Sequence, residues 1–169
     1  MEVINNFLPE KDWQQMKRFF FNGYIPWKFN TTITGSEDDV DAFQFVHVMF
    51  NTRPQYVAKH LTNGDPKAII PILKALNPSY LLRIKANLRT RTSEPVQSDY
   101  HIDLDKCENV PYKTAIYYLN SNNGYTLFED GSKVSSVENR IVIFDGKTKH
   151  CGVSCTDQQS RVVLNINYI

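Results

Sequence analysis

The residues best suited to chemistry are two histidines and one aspartate in the C-terminal half of this 169-residue chain. His101-Ile102-Asp103 has a strand-like pattern, and residues two apart in a strand point to the same side. His150 follows near another predicted strand. Two imidazoles and one carboxylate can hold Fe(II) on one face of an octahedron and leave its other positions open. His-x-Asp also arises by chance, so the tripeptide alone leaves a surface histidine near an aspartate as the alternative.

Arg161 adds a second chemical group to this set. The last predicted strand has one apolar face and a second face that carries Arg161, Val163, Asn165 and Asn167. A face with arginine and asparagine does not fill a dry core, so it meets water or lines a polar site. The guanidinium fork can bind a carboxylate through two charge-assisted hydrogen bonds. The pattern therefore favours a dicarboxylate co-substrate beside the metal.

The predicted strand Tyr80–Leu88 repeats this two-faced pattern. Leu82, Ile84, Ala86 and Leu88 alternate with Leu81, Arg83, Lys85 and Asn87. Two strands with cationic faces predict a shared electropositive cavity.

The composition of the chain excludes several classes of protein. Hydrophobic residues make up 41% of the chain, which is enough to bury a core and argues against disorder. The net charge of +1 is much lower than the strongly positive charge that is typical of nucleic-acid-binding domains. No apolar run approaches the roughly 20 residues of a membrane-spanning helix, and the first residues do not resemble a signal peptide. Three cysteines do not suggest a disulfide scaffold, so a reducing, cytoplasmic setting and no membrane partner are expected.

The elements that must position these residues are predicted from periodicity. Trp13, Met16, Phe19 and Phe20 recur at helical spacing after an acidic start, and Pro71 begins or breaks a helix near Ile69 to Leu76. Residues Thr34–Asp39 form a predicted loop. Strands are predicted at Ala42–Phe50, Tyr80–Leu88, Tyr100–Leu104, Lys113–Asn120, Tyr125–Phe128, Arg140–Phe144 and Arg161–Tyr168. Short strands separated by Asn-Gly and Asp-Gly turns favour a β-sandwich or jelly roll.

We therefore expect one α+β domain over 1–169. Residues 1–79 are expected to supply N-terminal buttressing helices and a supporting strand. Residues 80–169 are expected to form a double-stranded β-helix core of the jelly-roll or cupin-like type.

Several ordered stretches resemble one family of enzymes. They are Tyr100–Asp103, Ala115–Asn120, Gly124–Gly131, Asn139–Phe144, His150–Gly152 and Arg161–Asn165. Together they resemble the 2-oxoglutarate/Fe(II)-dependent dioxygenases, specifically small bacterial and phage-type members of the prolyl-4-hydroxylase-like branch. The resemblance implies hydroxylation of a substrate, for example a peptidyl prolyl residue, coupled to oxidative decarboxylation of 2-oxoglutarate to succinate and CO2. It also implies Fe(II), 2-oxoglutarate and O2 as cofactor and co-substrates, with ascorbate as an optional reductant.

The resemblance also implies roles for individual residues. His101, Asp103 and His150 match the iron ligands, and Arg161 matches the basic anchor for the 5-carboxylate of 2-oxoglutarate. Tyr118 matches a tyrosine that contacts the same carboxylate in the oxygen-sensing animal prolyl hydroxylases. Asn87 matches a position near the co-substrate that is often tyrosine in the family. Collagen-type members have lysine where this chain has Arg161.

Asn165 and Thr126 are candidates to line the cavity, with packing and turn roles as the alternative. Cys151 and Cys155 could form a zinc site with His150. Ordinary thiols are favoured because no second Cys-x-x-Cys exists and Cys107 is distant in the sequence.

Arg89 and Arg91 are candidates for a basic lid, although a solvated loop is the more frequent outcome. The other two histidines are expected in the core (His47) and on the surface (His60).

The alternatives for function are an AlkB-type nucleic-acid demethylase and a catalytically silent jelly-roll binding or structural module. The AlkB family has a second arginine six residues after its anchor, and this chain has Asn167 there. A peptide, protein or small-molecule substrate is therefore favoured over nucleic acid. The sequence does not indicate an oligomeric state.

Overall fold

The computed structural model describes residues 1–22, 25–33, 43–52, 66–104 and 110–169, and antiparallel strands dominate it. The α-helices are α1 (Glu10–Phe21) and α2 (Ile70–Leu76), and a 3-10 helix at Pro66–Ile69 leads into α2. The strands in the described ranges are β1 (Glu2–Ile4), β2 (Lys28–Asn30), β3 (Gln44–Asn51), β4 (Leu81–Thr90), β5 (Lys113–Tyr118), β6 (Tyr125–Phe128), β7 (Lys133–Ser135), β8 (Arg140–Asp145), β9 (His150–Val153) and β10 (Ser160–Tyr168).

The strands form two antiparallel sheets. The larger has the order β1-β8-β5-β10-β4-β3-β2, and the smaller has the order β7-β6-β9. A hydrophobic cluster that includes Tyr118, Phe128, Val134 and Phe144 joins residues from both sheets. Two facing antiparallel sheets with non-sequential strand order form a jelly roll, and the predicted α+β fold class is confirmed.

Helix α1 covers the opposite face of the larger sheet. Its buried Trp13, Met16 and Phe20 pack in one cluster with Ile72 of α2 and with Leu164 and other apolar residues of the large sheet. This is the helical face predicted from the residue spacing. Pro71 lies in the first turn of α2, where its missing N–H costs no helical hydrogen bond. The buttressing role predicted for the helices is therefore confirmed.

The N-terminal strands differ from the prediction. One or two strands were expected in the N-terminal half, of which Ala42–Phe50 corresponds to β3, but β1, β2 and β3 all belong to the seven-stranded sheet. β1 and β2 have three residues each, which is too short to show an alternating pattern. Strands from both sides of residue 79 therefore build the same sheet.

The predicted strand Tyr100–Leu104 is also incorrect. Only His101 forms a β-bridge, with His150, and Asp103 and Leu104 lie in a turn. The backbone N–H of Leu104 donates to the hydroxyl of Tyr112 at 3.3 Å instead of to a strand neighbour. That hydroxyl donates to the carbonyl of Gly146, where a Cβ atom would overlap the Tyr112 ring.

The predicted loop at Thr34–Asp39, His60 and Cys107 lie outside the described residues. His47 is buried, as expected of a core histidine. Within the described ranges, no helix has the length and apolarity needed to cross a membrane.

Candidate metal and co-substrate site

His101, Asp103 and His150 converge at one end of the space between the two sheets. One ligand atom from each lies within 4.8 Å of the other two. The two imidazole ring centroids are 4.8 Å apart, and Nε2 of His101 is 3.9 Å from Oδ1 of Asp103. His101 and His150 are brought together by their own backbone bridge, with N–O distances of 3.0 and 3.1 Å. Asp103 comes from the following turn rather than from a strand.

Both histidines present the nitrogen that a metal needs. Nδ1 of His101 is 3.1 Å from the carbonyl of Asp99, and Nδ1 of His150 is 3.1 Å from the carbonyl of Thr148. A carbonyl only accepts, so each Nδ1 carries a proton, and Nε2 is the nitrogen of each ring that is left to bind a metal. Burial lowers the pKa of His101, which favours the neutral form. Backbone contacts of this kind fix the ring orientation of metal-binding histidines.

Asp103 is held as a carboxylate by side chains of the large sheet. Its Oδ1 accepts from Nδ2 of Asn165 at 3.0 Å and contacts Nη2 of Arg83 at 2.9 Å. Its Oδ2 accepts from Nδ2 of Asn167 at 3.0 Å. Burial alone would raise the pKa of Asp103, but Arg83, both histidines and Asn167 outweigh burial and hold this pKa well below its usual range.

The donor set fits a divalent iron. Two imidazole nitrogens and one carboxylate form the two-histidine, one-carboxylate set that leaves further metal positions open. The remaining side chains near Asp103 are hydrogen-bond donors, which hold the carboxylate in position without competing for the metal.

Arg161 lines the same cavity as the three candidate ligands. Its side chain is buried, and it donates to Oγ of Ser136 at 2.9 Å and to Oγ1 of Thr126 at 3.1 Å. Its guanidinium carbon lies 5.7 Å from the centre of the Tyr118 ring. Among the described residues no carboxylate pairs with this cation, so the cavity contains a fixed positive charge opposite the metal ligands.

Tyr118 lies behind this arginine. Its hydroxyl donates to Oγ1 of Thr126 at 2.8 Å and is 3.3 Å from the carbonyl of Val134. The side chain is fully buried, and burial raises the pKa of Tyr118, which favours the neutral phenol. Thr126 thus connects Tyr118 to Arg161.

Asn87 and Asn165 both line the cavity. In the strand register, Asn87 of β4 lies opposite Val163 and Lys85 lies opposite Asn165, so all four occupy one face. Oδ1 of Asn87 and Oδ1 of Asn165 are buried and have no hydrogen-bond partner within the described part of the chain. A rotated Asn87 amide would present its NH2 group to the same space.

The prediction of a solvated Arg89 is wrong. Arg89 belongs to β4, is buried and lines the cavity, and its Nη1 donates to the carbonyls of Val96 and Gly152. Arg91, beyond the end of β4, is exposed. The alternating pattern of β4 already placed Arg83, Lys85 and Asn87 on one face. Extending the predicted strand beyond Leu88 by one residue would have added Arg89.

Cys151 and Cys155 are buried free thiols, and Cys151 lines the cavity. Burial raises the pKa of both thiols, which disfavours the thiolate that zinc binds. Among the described residues, the clustered metal-binding side chains are His101, Asp103 and His150 alone, without either cysteine.

Sequence reasoning missed three contributors to the site. Arg83 and Asn167 were assigned to the correct faces but without their role as partners of Asp103. Ser136, which holds Arg161, gave no sequence signal because it follows a three-residue strand.

Comparisons with known proteins identify the fold. No protein-family model matches the chain, and no curated protein matches it by sequence. A solved viral collagen prolyl hydroxylase from Paramecium bursaria Chlorella virus-1, in complex with 2-oxoglutarate, matches with a TM-score of 0.63 and 13% identity over 99% of this chain and 95% of that one.

Two further structures show how widely the fold is used. A Trichoplax adhaerens prolyl hydroxylase bound to a hypoxia-inducible-factor peptide matches with a TM-score of 0.60 and 13% identity, over 99% of this chain and 82% of that one. A non-haem, α-ketoglutarate-dependent carbocyclase from nogalamycin biosynthesis matches with a TM-score of 0.62 and 14% identity, over 98% and 78%. The chain therefore has the double-stranded β-helix fold of the 2-oxoglutarate/Fe(II) oxygenases, and its predicted resemblance to prolyl hydroxylases is confirmed in the fold.

Proposed function

We propose that the chain is a non-haem Fe(II)- and 2-oxoglutarate-dependent dioxygenase, an oxidoreductase that hydroxylates its substrate. The observation that carries this proposal is the convergence of His101, Asp103 and His150 on a cavity that also contains the buried cation of Arg161. The shared oxygenase fold supports it. A structural module would need neither the three metal-binding side chains nor a buried arginine in the same cavity.

In this proposal the protein residues divide into two groups. Nε2 of His101, Nε2 of His150 and the Asp103 carboxylate hold Fe(II), which would supply the activation of O2. Arg161 binds the 5-carboxylate of 2-oxoglutarate through its planar fork. Tyr118 supports that contact through Thr126, and Asn87 and Asn165 contact the co-substrate between its two ends.

The overall reaction consumes 2-oxoglutarate, O2 and a substrate C–H bond. It releases succinate and CO2. One oxygen atom of O2 enters succinate, and the other enters the substrate as a hydroxyl group. Ascorbate would serve only to return the iron to Fe(II) after a turnover without substrate. The cavity lies between two sheets, which would limit the access of bulk water to the reacting atoms.

The leading substrate from resemblance is a peptidyl prolyl residue. Two of the structural neighbours described above are prolyl hydroxylases, whereas the third is a carbocyclase, so the fold alone is compatible with several substrates.

Nucleic-acid demethylation has less support. Position 167, where the AlkB family has its second arginine, carries an asparagine that bonds Asp103, and the net charge is only +1.

The test is consumption of 2-oxoglutarate by the purified chain with Fe(II), O2 and ascorbate but no added substrate. We expect slow, iron-dependent release of succinate and CO2 in equal amounts. His101→Ala and Asp103→Ala should abolish the release, because each removes a metal ligand. Lys113→Gln, at an exposed strand end, is the matched control and should retain it. Equal release by the wild type and Asp103→Ala would overturn the assignment of this site.

A further inference from the structure

Lys85 is a cavity cation that the proposed function leaves without a role. It lies on β4 opposite Asn165 of β10 and between Arg83 and Asn87 on the cavity face of the strand. The side chain therefore projects toward the same end of the cavity as Asp103. Within the described ranges, its ammonium group has no hydrogen-bond partner.

The other cations in and beside the cavity already have partners. Arg83 contacts Asp103, and Arg89 donates to the carbonyls of Val96 and Gly152. Arg161 is oriented by Ser136 and Thr126 toward the proposed 5-carboxylate of 2-oxoglutarate. Both oxygens of Asp103 accept hydrogen bonds from asparagines of β10, and among the described residues its close ion-pair partner is Arg83 rather than Lys85.

Adding the proposed cofactors does not neutralise Lys85. With both groups bound, Asp103 and the two carboxylates of 2-oxoglutarate would supply three negative charges. Fe(II) and Arg161 would supply three positive charges, which leaves none of the negative charge for Lys85. Lys85 is partly buried, and a partly buried ammonium group without a close counter-charge among the described residues is unfavourable, so the filled site still favours one more anion.

The lowered pKa of Lys85 agrees with this count of charges. Burial and the nearby Arg83 lower the pKa of Lys85 to about 8, against the opposing attraction of Asp103. The lysine is therefore still mostly charged at neutral pH, but it gains little from its present neighbours. An anion beside Lys85 would offset both the cost of holding the charged ammonium group away from water and the repulsion from Arg83.

Building on the proposed iron- and 2-oxoglutarate-dependent function, we propose that Lys85 binds a carboxylate of the primary substrate, which is a small carboxylic acid. Lys85 lines a cavity between two sheets, so the anionic group has to enter that cavity. This favours a free small acid over the peptidyl prolyl residue that leads on resemblance alone, and over a charged patch on a folded partner. A site built around one ammonium group should also discriminate strongly against a neutral analogue.

The experiment uses the wild-type chain loaded anaerobically with Fe(II) and saturating 2-oxoglutarate. The probes are short-chain monocarboxylic acids, each compared with its own primary amide. Binding is followed by the change in the visible band of the complex and by the rise in unfolding temperature. We expect at least one acid to bind and its amide to bind at least roughly 10-fold more weakly.

Lys85→Gln should weaken binding of that acid by roughly 10- to 150-fold, because one charge-assisted hydrogen bond is lost. Its affinity for 2-oxoglutarate should stay at the wild-type value. Lys113→Gln, which removes an exposed lysine far from the cavity face, should match the wild type in both measurements.

Three results would overturn the role of Lys85 alone while the visible band persists. These are no binding of any acid in the panel, equal binding of acid and amide, or unchanged acid binding in Lys85→Gln. If Lys85→Gln instead loses 2-oxoglutarate affinity as Arg161→Ala does, Lys85 binds the co-substrate and the inference is wrong. Absence of the band in the wild type would overturn the proposed function itself.

Discussion

The guanidinium of Arg83 lies 2.9 Å from the carboxylate of Asp103 and ties strand β4 to the turn that carries the candidate acidic ligand. Both side chains are largely buried, with exposures of 12% and 3%. The pair gives Asp103 a counter-charge even in the absence of a metal. It also explains how an aspartate in a turn can be held as firmly as one in a strand.

Arg83→Gln should destabilise the metal-free protein by about 3 kcal/mol, the lower part of the range for breaking a buried ion pair. The lower part applies because Asn165 and Asn167 still bond the carboxylate. Fe(II) should restore much of this stability, since the metal replaces the lost positive charge. Urea unfolding with and without Fe(II) measures both effects. An equal loss in the two conditions would show that Arg83 acts through packing alone.

Arg161 should control the affinity for 2-oxoglutarate. Truncating one partner of a buried charge pair costs about 2–5 kcal/mol, which corresponds to roughly 30- to 3,000-fold in co-substrate affinity. Arg161→Ala should therefore raise the 2-oxoglutarate requirement by this factor and leave iron affinity nearly unchanged. Arg161→Lys should fall between, because a point charge attracts the carboxylate without the two-pronged geometry. Saturation curves at fixed Fe(II) measure all three proteins.

Tyr118→Phe should weaken 2-oxoglutarate binding less than Arg161→Ala does. It removes one hydroxyl, which bonds Thr126 at 2.8 Å, and leaves no buried charge unpaired. The expected cost in 2-oxoglutarate binding is about 0.5–3 kcal/mol, below that of Arg161→Ala. An effect as large as that of Arg161→Ala would indicate that Tyr118 is the principal anchor.

The two buried thiols should be dispensable for metal binding. The Cys151→Ser, Cys155→Ser double variant should keep wild-type iron affinity, because neither sulfur belongs to the His101, Asp103 and His150 cluster. Metal analysis of the purified wild type and double variant is the measurement. Stoichiometric zinc in the wild type that disappears in the double variant would contradict the assignment.

Asn139 should be a strong stabilising residue outside the site. Its side chain exchanges two 2.9 Å hydrogen bonds with the backbone of Leu8 and accepts a third from the hydroxyl of Tyr117. Asn139→Gly should cost about 2–4 kcal/mol through these three bonds. Asn139→Ala should cost about 1–2 kcal/mol more, because φ is 58° at this position. Urea unfolding of both variants and of Tyr117→Phe, which loses one bond, would show whether the costs follow this order.

The C-terminal strands could be predicted from sequence because their two faces differ sharply. In β10, Val162, Leu164 and Ile166 pack in the core under the helices, whereas Arg161 and Asn165 face the cavity, as their alternation predicted. The same contrast identified the cavity face of β4. Period-two patterns are reliable where one face is buried in apolar packing and the other is polar.

The three metal ligands could be predicted from the sequence, but the structure that was expected to position Asp103 was wrong. His101 and Asp103 were expected to project from one strand, yet Asp103 lies in a turn fixed by Arg83, Asn165 and Asn167. Those contacts join residues about 20 to 64 positions apart and leave no local sequence signal. The short strands β1 and β2 were missed for a related reason, since only their pairing partners define them.

Binding of iron and co-substrate at this site is measured by an anaerobic titration of the purified chain with Fe(II) and then 2-oxoglutarate, followed by visible absorption. We expect a charge-transfer band that saturates with one Fe(II) and one 2-oxoglutarate per chain, is absent in Asp103→Ala, and needs much more 2-oxoglutarate in Arg161→Ala. No band in the wild type, or an equal band in Asp103→Ala, would contradict the proposed iron and co-substrate site.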